Sequence, residues 1–436
     1  MSDPGLQRAY ELLTNEDDGR VCRDIPEALC DQQPRSFATH VVSLSLTKTG
    51  DGLADVKLVL SWLLTALGAP AGVIGLLVPV REAGALLPQL VTAGWVRSLP
   101  VRKWIWIGGS VAQGLAVLAM ATVGRTLEGD AAGWAVLGLL AVFAIARSFC
   151  SVSYKDVLGK TVSKSTRGTA TGTAGTVAAV AVFLYGALLA LDVVPASVAV
   201  VTTGLLVAAG CWLLAAAVFA TLPERRGATE GGGNALVVAL DSIQLLRDDA
   251  PLRRFIATRA LLTATALAPP FVLAIAGSTG GRGLGELGAF VIASAAASVS
   301  STYLWGRLSD RSSRRVLIRA SCIAAFALAA SAMVGLVELG DGVERLALPA
   351  SLFVLMIAYQ GVRLGRSTHL VDMADEDTRA RYTALSNTTI GVVLVAGSGF
   401  GGLAALTGPV VVLALFSAMC ILAAVVATGL EEVQGR

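Results

Sequence analysis

The chain has 436 residues, 55% of them hydrophobic and only 15% charged, with a formal net charge of +3. A soluble domain carries roughly 25% charged residues, so a water-soluble body of this size could not hide so much apolar side chain. The composition points to a polytopic membrane protein, built of helices because its apolar runs are near-continuous and lack the alternation of barrel strands.

Residues 1–38 read as a polar, acidic cytosolic tail with no cleavable signal sequence. Within it Leu6–Leu13 has the pattern of a short amphipathic helix, and Pro26 and Pro34 interrupt the rest of the tail. A span needs ~20 apolar residues, and twelve fit the chain. The first six are Val41–Ala66, Ala71–Val96, Trp104–Val123, Trp134–Tyr154, Thr169–Leu191 and Ala196–Leu222. Pro223–Arg254 then breaks the apolar pattern and includes a helical-looking piece, Ala235–Leu246. Spans 7 to 12 come next, at Phe255–Ser278, Gly283–Leu304, Val316–Leu336, Leu346–Leu364, Tyr382–Leu406 and Val410–Leu430. The expected division is therefore a tail (1–38), a first six-helix bundle (39–222), a cytoplasmic linker (223–254), a second bundle (255–431) and a short cytosolic tail (432–436).

Lysine and arginine sort cleanly between the loops. Loops 2–3, 4–5, 6–7, 8–9 and 10–11 are basic, whereas the other set holds only Arg125, Arg282 and Arg345. The positive-inside rule places the basic set and both termini in the cytoplasm, in a multi-pass protein of the inner membrane. The halves also repeat. Gly94…Arg102-Lys103 recurs as Gly306…Arg314-Arg315, and Thr166-Arg167 recurs as Thr378-Arg379, both at an offset of 212. One offset in two independent loops argues for a duplicated six-span unit.

Twelve spans, related halves and the stretch Trp305–Arg315 (WGRLSDRSSRR) between spans 8 and 9 resemble the major facilitator superfamily of transporters. Arg167-Gly168-x-x-x-Gly172 also resembles that family's loop 4–5 signature. The resemblance implies an all-α membrane fold of twelve transmembrane helices in two pseudo-symmetric six-helix bundles. It also implies a cytoplasmic gate around Gly306, Asp310, Arg311, Arg314 and Arg315. The first-half copy, Gly94 to Arg102 and Lys103, has Ser98 where the second has Asp310, so the expected gate is asymmetric. By the same resemblance spans 1, 4, 7 and 10 are expected to line the cavity, which places Asp51, Arg147 and Arg259 near the path and makes them, with Arg81 and Glu82, the candidates for coupling or solute binding.

Charges inside spans are the clues to transport, because each costs ~2.5–3.5 kcal/mol at mid-bilayer on insertion scales. Asp51 lies ~15 Å into span 1 at 1.5 Å per residue. Gly50 and Gly52 flank it and would let the helix loosen or pack closely. It reads either as a protonation site or as a structural partner of Lys48 or Arg81. Asp55 and Lys57, one to two turns on, would alternatively mark a broken segment. Arg81 and Glu82 point ~100° apart, so one is expected to face the cavity and the other an interhelical partner. Arg147 lies too deep in span 4 to snorkel out, whereas Arg259 in span 7, like Arg363 and Arg366 near the end of span 10, could reach the interface. A cavity holding Arg81 and Arg147 would favour an anionic solute, since guanidinium binds carboxylates bidentately. The alternative is that both arginines neutralise Asp51 and Glu82.

Tyr154-Lys155-Asp156 and the pair His369 and Asp372 are expected to form charge networks at the cytoplasmic ends of spans 4 and 10. Four cysteines (Cys150, Cys211, Cys322, Cys420) sit in apolar runs as small core residues, and Cys22 and Cys30 lie in the polar N-terminal region. No nucleotide-binding loop, catalytic triad or metal-ligand cluster is present in the sequence. The expected protein is a non-enzymatic secondary transporter of a small, anionic or other, solute. Its cofactors are none beyond a coupling proton, its partners are solute and bilayer without nucleic acid, and it is a monomer. A transporter-shaped receptor or assembly factor, or a lipid flippase, are the alternatives.

Overall fold

The computed structural model describes residues 4–14, 32–163, 166–191, 193–227, 247–278, 287–309, 311–337, 341–374 and 379–433. Cys22, Cys30, Asp310 and the helical-looking piece Ala235–Leu246 lie outside these residues. Every regular element among them is helical.

A short helix, α1 (Pro4–Thr14), precedes the spans. It docks by burying Tyr10, whose ring meets Phe37 edge-on at 5.1 Å. Span 1 comprises α2 (Gln33–Leu53), a π turn (Val56–Leu60) and α3 (Ser61–Ala66). It begins eight residues before the expected Val41, because Pro34 sits in the first turn, where a missing N–H costs nothing. Span 2 is α4 (Ala71–Leu86) followed by α5 (Gln89–Arg97), interrupted next to Pro88. Spans 3 to 6 are single rods: α6 (Lys103–Thr126), α7 (Gly129–Thr161), α8 (Arg167–Ala190) and α9 (Val198–Ala220).

The second half repeats this order. Span 7 is broken into α10 (Ala250–Leu261), α11 (Ala264–Leu267) and α12 (Pro269–Ser278), since Pro269 and Pro270 donate no N–H to the preceding turn. Spans 8, 9 and 10 are α13 (Leu287–Ser309), α14 (Ser313–Val334) and α15 (Asp341–Met373). Span 11 is α16 (Arg379–Ala396) plus α17 (Gly399–Thr407), and span 12 is α18 (Pro409–Thr428). Among the described residues nine helical stretches are long and apolar enough to cross a membrane. The first two spans fall short of that measure because they are broken and charged, and span 8 contributes a shorter apolar helix.

The repeat is legible in the helix ends. Both ends of α15 are displaced by 212 residues from those of α7, and α16 begins 212 residues after α8. The break in span 1 recurs at the corresponding place in span 7. Alternation of direction brings the basic loops to one end of the molecule.

The halves meet along α8 with α13, and along α4 with α16 and α17. Their closest approaches lie at the end away from the basic loops. A Cβ added to Gly75 would stand 2.3 Å from the Gly401 Cα, and one added to Gly288 would stand 2.2 Å from the Ala190 nitrogen. Only glycine permits backbones to touch so closely.

Candidate solute cavity between the two halves

Between the halves lies a cavity of about 580 Å³. It is sealed by the glycine contacts at one end and reaches toward the basic-loop end past Lys48, Gln89 and Arg366. Its walls come from spans 1, 2, 4, 5, 8 and 10.

Span 1 supplies the deepest charges, and its break positions them. Gly50 and Gly52 do not loosen the helix. They serve close packing, because a Cβ on Gly52 would lie 2.2 Å from Val182 and one on Gly50 would lie 3.0 Å from Trp212. The interruption comes three residues later, at Asp55. Its carboxylate caps the second segment by accepting from the Lys57 and Leu58 amides at 3.0 and 2.9 Å. The Leu60 amide reaches back to the Asp55 carbonyl, and the Ser61 hydroxyl donates to the Val56 carbonyl. The broken-segment reading of Asp55 and Lys57 matches this geometry. Such π turns are often found at functional sites.

Asp51 is gripped by two guanidiniums. Arg147 Nη2 donates to Oδ2 at 2.7 Å, and Arg81 Nη2 stands 3.5 Å from Oδ1, long for a hydrogen bond. Lys48 is not a partner of Asp51; its ammonium donates to the Thr171 carbonyl on α8 at 3.0 Å. Arg81 also lies over the Phe143 ring at 5.1 Å. Glu82 lines the same cavity as Arg81. Both side chains reach the cavity although they stand ~100° apart on α4, and the expected split survives in part: Arg81 has the interhelical partner, Asp51 on α2, while Glu82 faces the cavity.

Span 10 lines the cavity as expected, but with Tyr359, which the sequence pattern passed over, and with two arginines it had assigned to the interface. Tyr359, Arg363 and Arg366 face the cavity. Lys57 is only 8% exposed and its ammonium lies 3.5 Å from the Tyr359 ring centre, and the Arg363 guanidinium carbon lies 5.9 Å from the same ring. The half-repeat offset could have found this residue, since Tyr359 is the counterpart of Arg147. Arg259 is placed elsewhere. It is buried on α10, donating to the Ser386 hydroxyl and to Asn387 Oδ1 on α16, and does not line the cavity. Its place one turn inside a helix that packs on α16 offers a neighbour's hydroxyl as a nearer acceptor than the interface.

At the basic end the first-half motif forms a network without the acid that Ser98 replaces. Glu224, after span 6, has a fully buried side chain that accepts from the Arg102 and Lys103 amides, at 3.0 and 2.7 Å, and from Lys160 at 3.3 Å. It thus caps the positive N-terminus of α6. Asp156 takes Arg102 at 2.5 Å and Lys160 at 2.9 Å, so of the expected Tyr154, Lys155 and Asp156 it is Asp156 that enters the network, while the buried Tyr154 hydroxyl has no hydrogen-bond partner among the described residues. Arg167 caps the end of α7 by donating to the Gly159 and Val162 carbonyls. In the second half the Ser312 hydroxyl caps α14 and donates to Glu432, and Arg314 donates to the Thr428 carbonyl. Arg311 and Arg315 are exposed, and Gly94 and Gly306 fall within α5 and α13. His369 bonds the Ser313 hydroxyl and stacks on Phe255. Of the four cysteines, Cys150 and Cys420 are buried, Cys211 is half-buried and Cys322 is exposed, so Cys322 is not a core residue. Among the described residues no cluster of metal-ligating side chains occurs.

Among solved structures, the nucleoside transporter NupG aligns with a TM-score of 0.66 at 13% identity, over 90% of this chain and 98% of its own. A D-xylose-proton symporter aligns with a TM-score of 0.66 at 12% identity, over 92% of this chain and 99% of its own. A POT family transporter in complex with 5-aminolevulinic acid aligns with a TM-score of 0.65 at 10% identity, over 90% and 95%. No family model matches the chain, and no curated protein sequence matches it. At these identities the likeness is one of fold.

Proposed function

We propose that this chain, which has the fold of major facilitator superfamily transporters, is a secondary active transporter that moves a small solute by alternating access. The observation that carries the reading is the cavity of about 580 Å³ held between the halves, with ionisable side chains contributed by both. Its size lies within the ~300–1,000 Å³ of small-molecule sites. Charges at this depth are costly and are retained where a path or a pair needs them.

With the basic loops assigned to the cytoplasm by the positive-inside rule, the cavity faces inward. Transport then requires the basic end to close and the Gly75–Gly401 and Ala190–Gly288 contacts to part, the halves rocking around the solute. The site for proton coupling in this reading is Asp51. A proton on its carboxylate weakens its hold on Arg147 and Arg81 and changes the charge presented to the solute. The name of one similar structure, a proton symporter, is in line with such coupling. A monomer in the inner membrane, with both termini cytoplasmic, completes the proposal.

The test is uptake into proteoliposomes containing the full chain under an imposed pH gradient, over a panel of metabolites. Accumulation that collapses with a protonophore supports the reading. If no solute accumulates and cavity positions keep one-sided cysteine accessibility under every condition, a receptor without transport is the better account. Asp51→Asn should transport with a flattened pH dependence, and an unchanged dependence rules out Asp51 as the coupling site.

A further inference from the structure

The cavity walls hold six cations and three carboxylates. Most of the acid is already committed. Asp51 is shared by Arg81 and Arg147, and Asp55 caps the π turn Val56–Leu60 that carries Lys57. The charge that the sequence pattern offered to an anionic solute, on Arg81 and Arg147, is therefore answered from within the protein.

A second cluster is not balanced in this way. It contains Lys57 from span 1, Arg363 and Arg366 from span 10, and one acid, Glu82 from span 2. Glu82 lies in the field of all three cations and of Arg81, yet among the described residues no ion pair reaches it. Lys57 and Arg363 converge on one aromatic ring, Tyr359, and among the described residues no carboxylate is paired with either. Even with the charge of Asp55, which its amide contacts do not neutralise, three cations against two acids leave net positive charge in a cavity walled by low-dielectric protein, which attracts anions and repels cations.

We infer that this cluster receives the acidic head, carboxylate or phosphate, of a small organic anion, with Lys57 offered by one half of the protein and Arg363 and Arg366 by the other. The guanidinium fork suits bidentate contact with either head group, and the ammonium adds a point charge from the facing wall. Ser294 and Gln360 offer polar contacts for the body of the solute, and Phe143 and Met356 offer apolar ones. An anion held in this way draws charges of both halves toward one point, and so couples occupancy to the relative position of the halves. The inference rests on the transport reading only for its use of the cavity as a solute site.

The test is binding, which is independent of transport. The full chain in detergent is melted in the presence of succinate or glycerol phosphate, with xylose and glycerol as uncharged counterparts and chloride matching the ionic strength. The anions are expected to raise the melting temperature and the counterparts to leave it unchanged. Arg363→Gln and Arg366→Gln should each weaken the apparent affinity about tenfold, the scale of one charge-assisted hydrogen bond. Arg363→Lys, which keeps the charge but loses the fork, should fall between the unaltered protein and Arg363→Gln, and the melting temperature without ligand reports whether each variant folds. The inference is overturned if no mono- or dicarboxylate or phosphate ester stabilises the protein. It is also overturned if the anion response survives undiminished in both glutamine variants. An anion that binds through these residues yet is never taken up supports the site and removes the transport reading alone.

Discussion

The ammonium of Lys57 lies 3.5 Å from the centre of the Tyr359 ring, and the two residues belong to opposite halves of the molecule. The π turn after Asp55 swings Lys57 toward span 10, and the neighbouring helices desolvate it. A desolvated cation–π contact is worth up to ~2 kcal/mol. Tyr359→Leu should therefore cost about 1 kcal/mol in thermal unfolding, whereas Tyr359→Phe keeps the ring face and most of the stability. Equal losses in the two variants would show that the Tyr359 hydroxyl, and not the ring face, carries the contribution.

The two arginines on Asp51 should not be equal. Arg147 makes a short charge-assisted bond and Arg81 a long one. Both pairs are only partly buried, so a double-mutant cycle of Asp51→Asn with Arg147→Gln should give a coupling of about 1–2 kcal/mol, at the low end for such bonds. The cycle with Arg81→Gln should give less than half of that. The reverse order would contradict the geometry.

Asp55 is placed for structure. Asp55→Ala removes the acceptor for two amides at the start of the π turn, and should cost about 1 kcal/mol by thermal unfolding. Asp55→Asn, whose side-chain oxygen can still accept, should cost little.

At the basic end Glu224 should be the most sensitive acid. Its side chain is fully buried, whereas that of Asp156 is 34% exposed. Glu224→Ala leaves the amides of Arg102 and Lys103 and the Lys160 ammonium short of a partner, for a loss of about 1–3 kcal/mol. Asp156→Ala should lower the melting temperature less.

Much of this architecture is legible in the sequence, for physical reasons. The bilayer fixes span length, the basic loops fix which ends lie together, and the 212-residue offset reappears in the ends of α7 and α15. The cost of an isolated charge at that depth pointed to a partner for Asp51 but left Lys48, Arg81 and Arg147 as alternatives, and the contact with Arg147 is what the structure adds. Arg363 and Arg366 were read as residues at the end of span 10 that reach the interface, because the apolar pattern ends at Leu364 while the helix continues to Met373. Residues that the apolar pattern puts at a helix end are therefore two or three turns inside it, within reach of the cavity. Arg259 failed in the opposite sense. Its depth was legible, but the hydroxyl of Ser386 comes from span 11, and sequence spacing does not say which neighbour a helix face will meet. The break in span 1 was visible as charge clustering, but only the capping bonds of Asp55 show where the chain turns.

The most direct test of alternating access uses single cysteines in a background lacking the native six. Ala85→Cys samples the cavity, and Gly72→Cys, where a side chain meets open space, samples the sealed end. In proteoliposomes, the account predicts that Ala85→Cys is labelled from the side of the basic loops, that a transported solute or a pH gradient lowers this labelling, and that labelling near Gly72 rises in step. Accessibility that stays fixed at both positions under every solute and gradient would contradict it.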